Sequence, residues 1–125
     1  MGSVESVEVY TNEVRRRYTR SFLDLLILQL VQTEPAWGYK IIQKTQDLYG
    51  VELRHSALYP MLGMLEAKGL LQSQKQLQKR RVRKVYHITQ NGRRLLQAYH
   101  NFLKEMIQKQ SAEDKEDKNE KERGY

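Results

Sequence analysis

Residues 56–89 read SALYPMLGMLEAKGLLQSQKQLQKRRVRKVYHIT, and the spacing of the apolar residues changes inside this stretch. Leu58, Met61, Leu62 and Leu65 recur at intervals of three and four, which places them on one face of a helix. Gly69 follows, at the position where a left-handed residue closes a helix. Beyond Gly69 the period drops to two. Leu71, Ser73, Lys75 and Leu77 face one way, with Gln72, Gln74 and Gln76 on the other side. Val82, Lys84, Tyr86 and Ile88 then alternate against Arg81, Arg83, Val85 and His87, so a helix followed by a two-stranded hairpin is predicted. The tip falls near Gln78, Lys79 and Arg80. Without an Asn-Gly or Asp-Gly pair there, turn type and register stay open. Ser56 is expected as the helix N-cap, its hydroxyl accepting from a first-turn amide. Pro60 then stands fourth in the helix and forfeits only the bond to the cap carbonyl.

Working outward, Val14, Tyr18, Phe22, Leu25, Leu26 and Leu30 form a helical stripe from about Asn12 to Thr33, ended by Pro35. A second helix spans Tyr39 to Tyr49, with Gly50 after it. On the far side of the hairpin, Thr89 caps a fourth helix, with Leu95, Leu96, Tyr99, Phe102, Leu103, Met106 and Ile107 as its stripe to about Lys109. Residues 1–11 and 110–125 are expected to be disordered. The last fifteen, SAEDKEDKNEKERGY, offer only one Ala and one Tyr to bury.

The expected fold class is therefore mainly α, an α+β winged helix. Its parts are a three-helix helix-turn-helix core with a two-stranded wing (residues 12–89), then a C-terminal helix (90–109) and a charged tail (110–125). At 125 residues and 39% hydrophobic, the chain suffices for one modest core.

Formal net charge is +7. Residues 11–110 concentrate 18 bases against 7 acids, and Lys75 to Lys84, KQLQKRRVRK, has six bases and no acid. A basic run is ordinarily a solvated face. On a wing beside a helix-turn-helix it is instead placed to meet DNA phosphates. The absence of cysteine excludes disulfide scaffolds, thiol catalysis and cysteine-based metal sites. His55, His87 and His100 are scattered, with no HExxH and no Gly-rich phosphate loop, so neither an enzyme nor a metal site nor a cofactor is expected. The longest apolar region, Phe22 to Val31, is interrupted by Asp24 and Gln29, too short and broken to span a membrane. The N-terminus lacks the basic-then-apolar order of a secretory signal, and a cytoplasmic protein is expected.

Three stretches carry a family resemblance: LLILQLVQTEPAWGYKIIQKTQ (25–46), SALYPMLGMLEAKGLL (56–71) and RKVYHITQNGRRLL (83–96). In this order they resemble the PadR family of transcriptional regulators, in its short form, since only about twenty residues of helix follow the wing. Leu58-Tyr59-Pro60 with Leu65-Glu66 and Gly69 is the most specific part. The sequence departs from the family pattern at Arg54-His55, where small residues and Gly are common, at Trp37 in place of a usual His, and at Gln90 where Glu is frequent. The resemblance implies a homodimeric repressor on an inverted-repeat operator, sometimes responsive to a small aromatic effector held between subunits. Trp37, Tyr99 and Phe102 could stack on such a molecule, although aromatics at helical spacing are more often core.

The helix-turn-helix plan puts the start of the third helix in the major groove. Arg54, His55, Ser56 and Ala57 are the candidates there, Arg54 for guanine and the Ala57 methyl for thymine. Tyr59 resembles the family tyrosine that contacts DNA, the alternative being a core aromatic. Lys79, Arg80, Arg81, Arg83 and Lys84 on the wing and Lys40 and Lys44 on the second helix are candidate phosphate contacts. Arg15, Arg16, Arg17 and Arg20 form another basic cluster. Val14, Tyr18, Tyr99, Phe102, Leu103, Met106 and Ile107 would leave apolar patches on a monomer and are the expected dimer interface. Two other readings compete, a non-specific architectural DNA binder and a winged-helix protein-interaction module.

Overall fold

The computed structural model describes residues 4–122, and the expected disorder of residues 1–3 and 123–125 lies outside the described residues. Elements follow in the order α1 (Val4–Ser21), α2 (Leu23–Thr33), α3 (Gly38–Tyr49), α4 (His55–Ala67), β1 (Leu71–Gln78), β2 (Arg81–Ile88) and α5 (Gln90–Glu122). Two compact units result, one through Arg93 and one from Arg94. In the first, Ile27, Leu28 and Val31 of α2, Ile41 of α3, and Leu58, Leu62 and Leu65 of α4 are buried together with Leu71, Val85, Tyr86 and Ile88 of the hairpin. No helix among the described residues is long and apolar enough to cross a membrane.

The hairpin has the alternation expected of it. Leu71 pairs with Ile88, Ser73 with Tyr86, Lys75 with Lys84 and Leu77 with Val82. Two residues, Lys79 and Arg80, make the turn, with φ of 45° and 67°. Two left-handed residues in a two-residue loop are the type I′ geometry, whose twist matches the strands and which normally selects Asn-Gly. Lys and Arg hold it at a cost of roughly 1 kcal/mol or more. Replacing Lys79-Arg80 by Asn-Gly should therefore stabilise the hairpin by about 1 kcal/mol and raise the melting temperature by about 4 °C in a thermal scan. A third strand is reduced to one residue: Ala36 bridges Tyr86, its amide donating to the Tyr86 carbonyl (3.2 Å) while the Tyr86 amide donates back (2.8 Å).

Four boundaries differ from the sequence expectation. The first predicted helix is two, broken at Phe22 (φ −118°, ψ 30°), where the Leu25 amide donates to the Asp24 carboxylate at 2.8 Å and so leaves the helical ladder. Helix α1 starts at Val4, ahead of Asn12. Ser56 is not the cap of α4. Arg54 is, extended at φ −84° and ψ 148°, with its carbonyl accepting from the Ala57 and Leu58 amides (3.1 and 3.0 Å). Pro60 thus stands sixth in the helix and denies a partner to the Ser56 carbonyl, in an exposed turn where water can serve. Helix α5 continues past Lys109 to Glu122. Asp114 and Asp117 each precede a lysine by four residues (Lys118, Lys121), a spacing that supports a helix without any burial. Thr89 does cap α5, its Oγ1 accepting from the Gly92 amide (3.1 Å) and donating to the Gly69 carbonyl (2.6 Å).

Candidate nucleic-acid interface

The start of α4 is exposed from Arg54 through Ala57, and Tyr59 is exposed too. The extended residue at Arg54 and the buried Leu53 and Leu58 hold this turn outward, because the apolar residues on either side of it are pulled into the core. The His55 and Tyr59 rings stack one turn apart, 5.6 Å between centroids and 12° between planes. Tyr59 is half exposed, which removes the core-aromatic alternative. Its hydroxyl lies against the Gly38 backbone so closely that a Cβ on residue 38 would come within 2.7 Å of it. Gly38 is thus the residue that lets α3 and α4 approach at this point.

On the wing the candidate bases do not share one face. Lys79 and Arg80 form the tip, Lys84 faces the same side as Lys75 and Tyr86, and Arg81 and Arg83 face the opposite side. Several features there oppose local stability. Lys75 and Lys84 are paired directly across the strands, like charges in register. Leu77 and Val82, also paired, are 74% and 68% exposed. Together with the left-handed tip, these are local rule violations of the kind that gather at functional surfaces. Arg83 lies 5.4 Å from the centre of the Trp37 ring, and Lys40 lies at the same distance. Lys84 is 4.0 Å from the Glu66 carboxylate.

Lys40 and Lys44 do not stand free. Both ammonium groups donate to the same Glu34 oxygen, Lys40 at 3.0 Å. The hydrogen bond from Lys44, then that from Lys40, holds the Glu34 carboxyl down to about 2. A lowered carboxyl pKa means the pairing is complete above the ordinary value near 4.5 and is lost only as pH falls through about 2. A pH titration by carboxyl NMR should place Glu34 near 2, and a midpoint near 4.5 would mean that the pairs do not persist in solution. Sequence reasoning missed Glu34, since one acid in the turn before a basic helix carries no distinctive spacing. It also left undecided the basic cluster on α1, of which Arg16 and Arg20 share an open cleft of about 770 Å3 with Arg54, Ser56 and Ala57. Among the described residues no group of three or more His, Asp or Glu side chains is placed to hold a metal ion.

A helix-turn-helix with an exposed recognition-helix start and a basic hairpin beside it is the arrangement found in winged-helix DNA-binding proteins. The profile described as the transcriptional regulator PadR-like family matches residues 27–98, more than half of the chain. This chain belongs to the PadR-like family. The matched span runs from α2 through the wing and into α5, so it contains Glu34, the exposed start of α4 and the wing bases, but not Arg16 and Arg20 of α1.

Solved PadR-like structures agree. A PadR-like transcription factor from Bacteroides fragilis superposes with a TM-score of 0.67 at 26% identity, over 78% of this chain and 94% of that one. A PadR-family regulator from Eggerthella lenta is 31% identical, with a TM-score of 0.61 over 84% of this chain and 91% of that one. Bacillus subtilis PadR, solved in complex with operator DNA, gives 0.58 at 26% identity, and the match covers 62% of this chain but only 46% of that longer one. None of the curated proteins matches this chain. For a PadR-like regulator the apolar positions expected at an interface are notable. On α1, Val14 and Tyr18 are exposed, with Val7 and Tyr10 continuing their stripe. On α5, Phe102, Met106 and Ile107 are exposed, while Tyr99 and Leu103 are half-buried.

Proposed function

We propose that this PadR-like chain is a sequence-specific double-stranded DNA-binding regulator, a homodimeric repressor acting in the cytoplasm on an inverted-repeat operator. The observation that carries this reading is the exposed start of α4, where Arg54, His55, Ser56 and Ala57 face outward with nothing of the core competing for them. In the major groove Arg54 reads guanine and Ala57 meets a thymine methyl. Tyr59 and the wing bases take phosphates; duplex DNA as the partner is supported by Bacillus subtilis PadR, a similar structure solved in complex with operator DNA. Arg16 and Arg20, which share the cleft at the start of α4, extend the cationic surface along α1.

Dimerisation is supported by the two exposed apolar stripes. Each is a continuous row of large side chains on a charged helix, the kind of surface that a second copy covers. Two-fold symmetry then sets half-sites about one helical turn apart. A stable monomer by light scattering at high micromolar concentration would overturn the dimer.

Glu34 sets a limit on affinity in this reading. It neutralises part of the charge of Lys40 and Lys44, and phosphates must displace it to use them. Glu34→Gln should tighten duplex binding about three- to tenfold at low salt, with the gain fading as salt rises.

Selection of bound duplexes from a random library at about 0.15 M salt tests the whole proposal. Enrichment of an inverted repeat, bound at least about 10³-fold more tightly than random duplex, is the expected result. Binding without an enriched motif would instead identify an architectural protein. No binding at all would make the fold a protein-interaction module.

A further inference from the structure

The cleft between α4 and the wing combines aromatic walls, a carboxylate and two cations. It is an open cleft of about 460 Å3, and Trp37, Tyr39, Tyr59 and Tyr86 give it four aromatic walls. Two buried polar atoms in its lining have no hydrogen-bond partner, the Trp37 indole Nε1 and the Glu66 carboxylate Oε2. An orphaned buried donor and an orphaned carboxylate oxygen each carry a desolvation cost that a partner would remove. A bare phosphate could accept from the indole and meet the cations at the mouth, but it offers Glu66 no donor.

A third observation concerns space. Tyr59, Gly63 and Glu66 share one face of α4, and a Cβ at Gly63 would meet nothing within 4 Å. Glycine inside a helix gives up about 1 kcal/mol relative to alanine. That loss leaves an open slot next to Glu66, whose Oε2 is unpartnered while its Oε1 lies 4.0 Å from Lys84. At the mouth stand two cations, Arg83, whose guanidinium reaches over the Trp37 ring from the other face of the hairpin, and Lys84, the neighbour of Glu66 Oε1.

The lining therefore calls for a planar ring to lie among aromatic walls, an N–H edge for Glu66, an acceptor for the Trp37 N–H, and an anionic group for the mouth. Guanosine monophosphate carries all four. Guanine presents N1–H and N2–H2 to a carboxylate, its ring stacks on aromatic side chains, and its phosphate suits a guanidinium and an ammonium. We infer that the cleft between α4 and the wing binds a guanine mononucleotide, with the base edge on Glu66 and the phosphate on Arg83 and Lys84. The site stands on its own lining. Only its consequence rests on the DNA-binding reading: the nucleotide takes two of the wing cations and so competes with the operator.

Trp37 is the only tryptophan in the chain, so its emission reports the cleft directly. Titration of the full chain with guanosine monophosphate should change that emission saturably, with half-saturation below about 1 mM. Glu66→Gln should weaken the response at least tenfold, and Gly63→Leu, which fills the slot, should abolish it. Both variants should keep the wild-type circular dichroism spectrum. Adenosine monophosphate, which offers an acceptor at N1 where guanine has a donor, should bind at least tenfold more weakly. No saturable change up to about 10 mM guanosine monophosphate would overturn the inference. An equal response to inorganic phosphate would also overturn it, leaving an adventitious ion only, as would a guanosine monophosphate response that Glu66→Gln does not alter. Labelled-duplex anisotropy, run separately, shows whether the nucleotide displaces DNA. If no duplex binds, the DNA reading fails while the tryptophan titration still decides the site.

Discussion

Replacing Lys79, Arg80, Arg81, Arg83 and Lys84 together by glutamine should lower duplex affinity by about three orders of magnitude at 0.15 M salt. The argument is electrostatic. Each phosphate neutralised contributes about 0.9 to the slope of log affinity against log salt, and a wing neutralising three or four phosphates per subunit gives a dimer a slope near −6. The variant should retain a slope shallower than about −2, from the contacts at α3 and α4 alone. Arg83 is the exception to a purely electrostatic account, because its guanidinium also covers the Trp37 ring. A single Arg83→Gln should therefore cost some stability as well as affinity. Wild-type protein with a slope already shallower than about −2 would remove the wing from the binding surface.

The second large effect concerns folding. Gly92 lies in the first turn of α5, and a Cβ there would overlap the Leu70 carbonyl oxygen and come within 2.7 Å of Ile88 Cγ1. That same carbonyl accepts the Thr89 amide at 3.1 Å. Neither neighbour is a flexible side-chain end, so the backbone of the junction must move and the hydrogen bond must lengthen. Gly92→Ala is expected to cost about 3 kcal/mol, from overpacking and a weakened hydrogen bond, and to lower the melting temperature by roughly 10 °C. Gly63→Ala, a like substitution in α4 with open space around it, should stabilise by about 0.5–1 kcal/mol. Equal effects at the two glycines would mean that the junction is looser than its geometry requires.

Much of this was legible in the residues. The change of period after Gly69 marks the helix and the hairpin, since side-chain alternation follows directly from backbone pleating, and the strand pairing matches that alternation residue for residue. The break at Phe22 was not legible. Apolar spacing runs through it unchanged, and the break shows only in the Phe22 backbone and in first-turn amides of α2 that do not bond back to α1, of which Leu25 donates to the Asp24 carboxylate. The cap of α4 was misplaced because a serine is a strong local signal, whereas Arg54 caps through its backbone alone. At the interface, exposure at the start of α4 followed from the helix-turn-helix order. The Glu34 clamp and the Glu66 cleft did not, because each joins residues from different elements with no sequence spacing of their own.

The bridge between Ala36 and Tyr86 gives the hairpin an uneven mechanics. Strand β2 is bonded along its outer edge only at Tyr86, and from there to the Lys79-Arg80 turn alternate amides bond to β1 while those of Lys84 and Val82 point to the unpaired edge. Roughly 20 Å of ribbon thus projects from a clamped root, at about 3.3 Å per residue. Amide protons near the turn should exchange with solvent orders of magnitude faster than that of Tyr86. Beyond Tyr86 the ribbon meets the helices only through side chains, Arg83 over Trp37 and Lys84 near Glu66. On the DNA-binding reading proposed above, such a finger would touch a passing duplex before α4 has found its groove, and the clamp at Tyr86 would return it to one resting position.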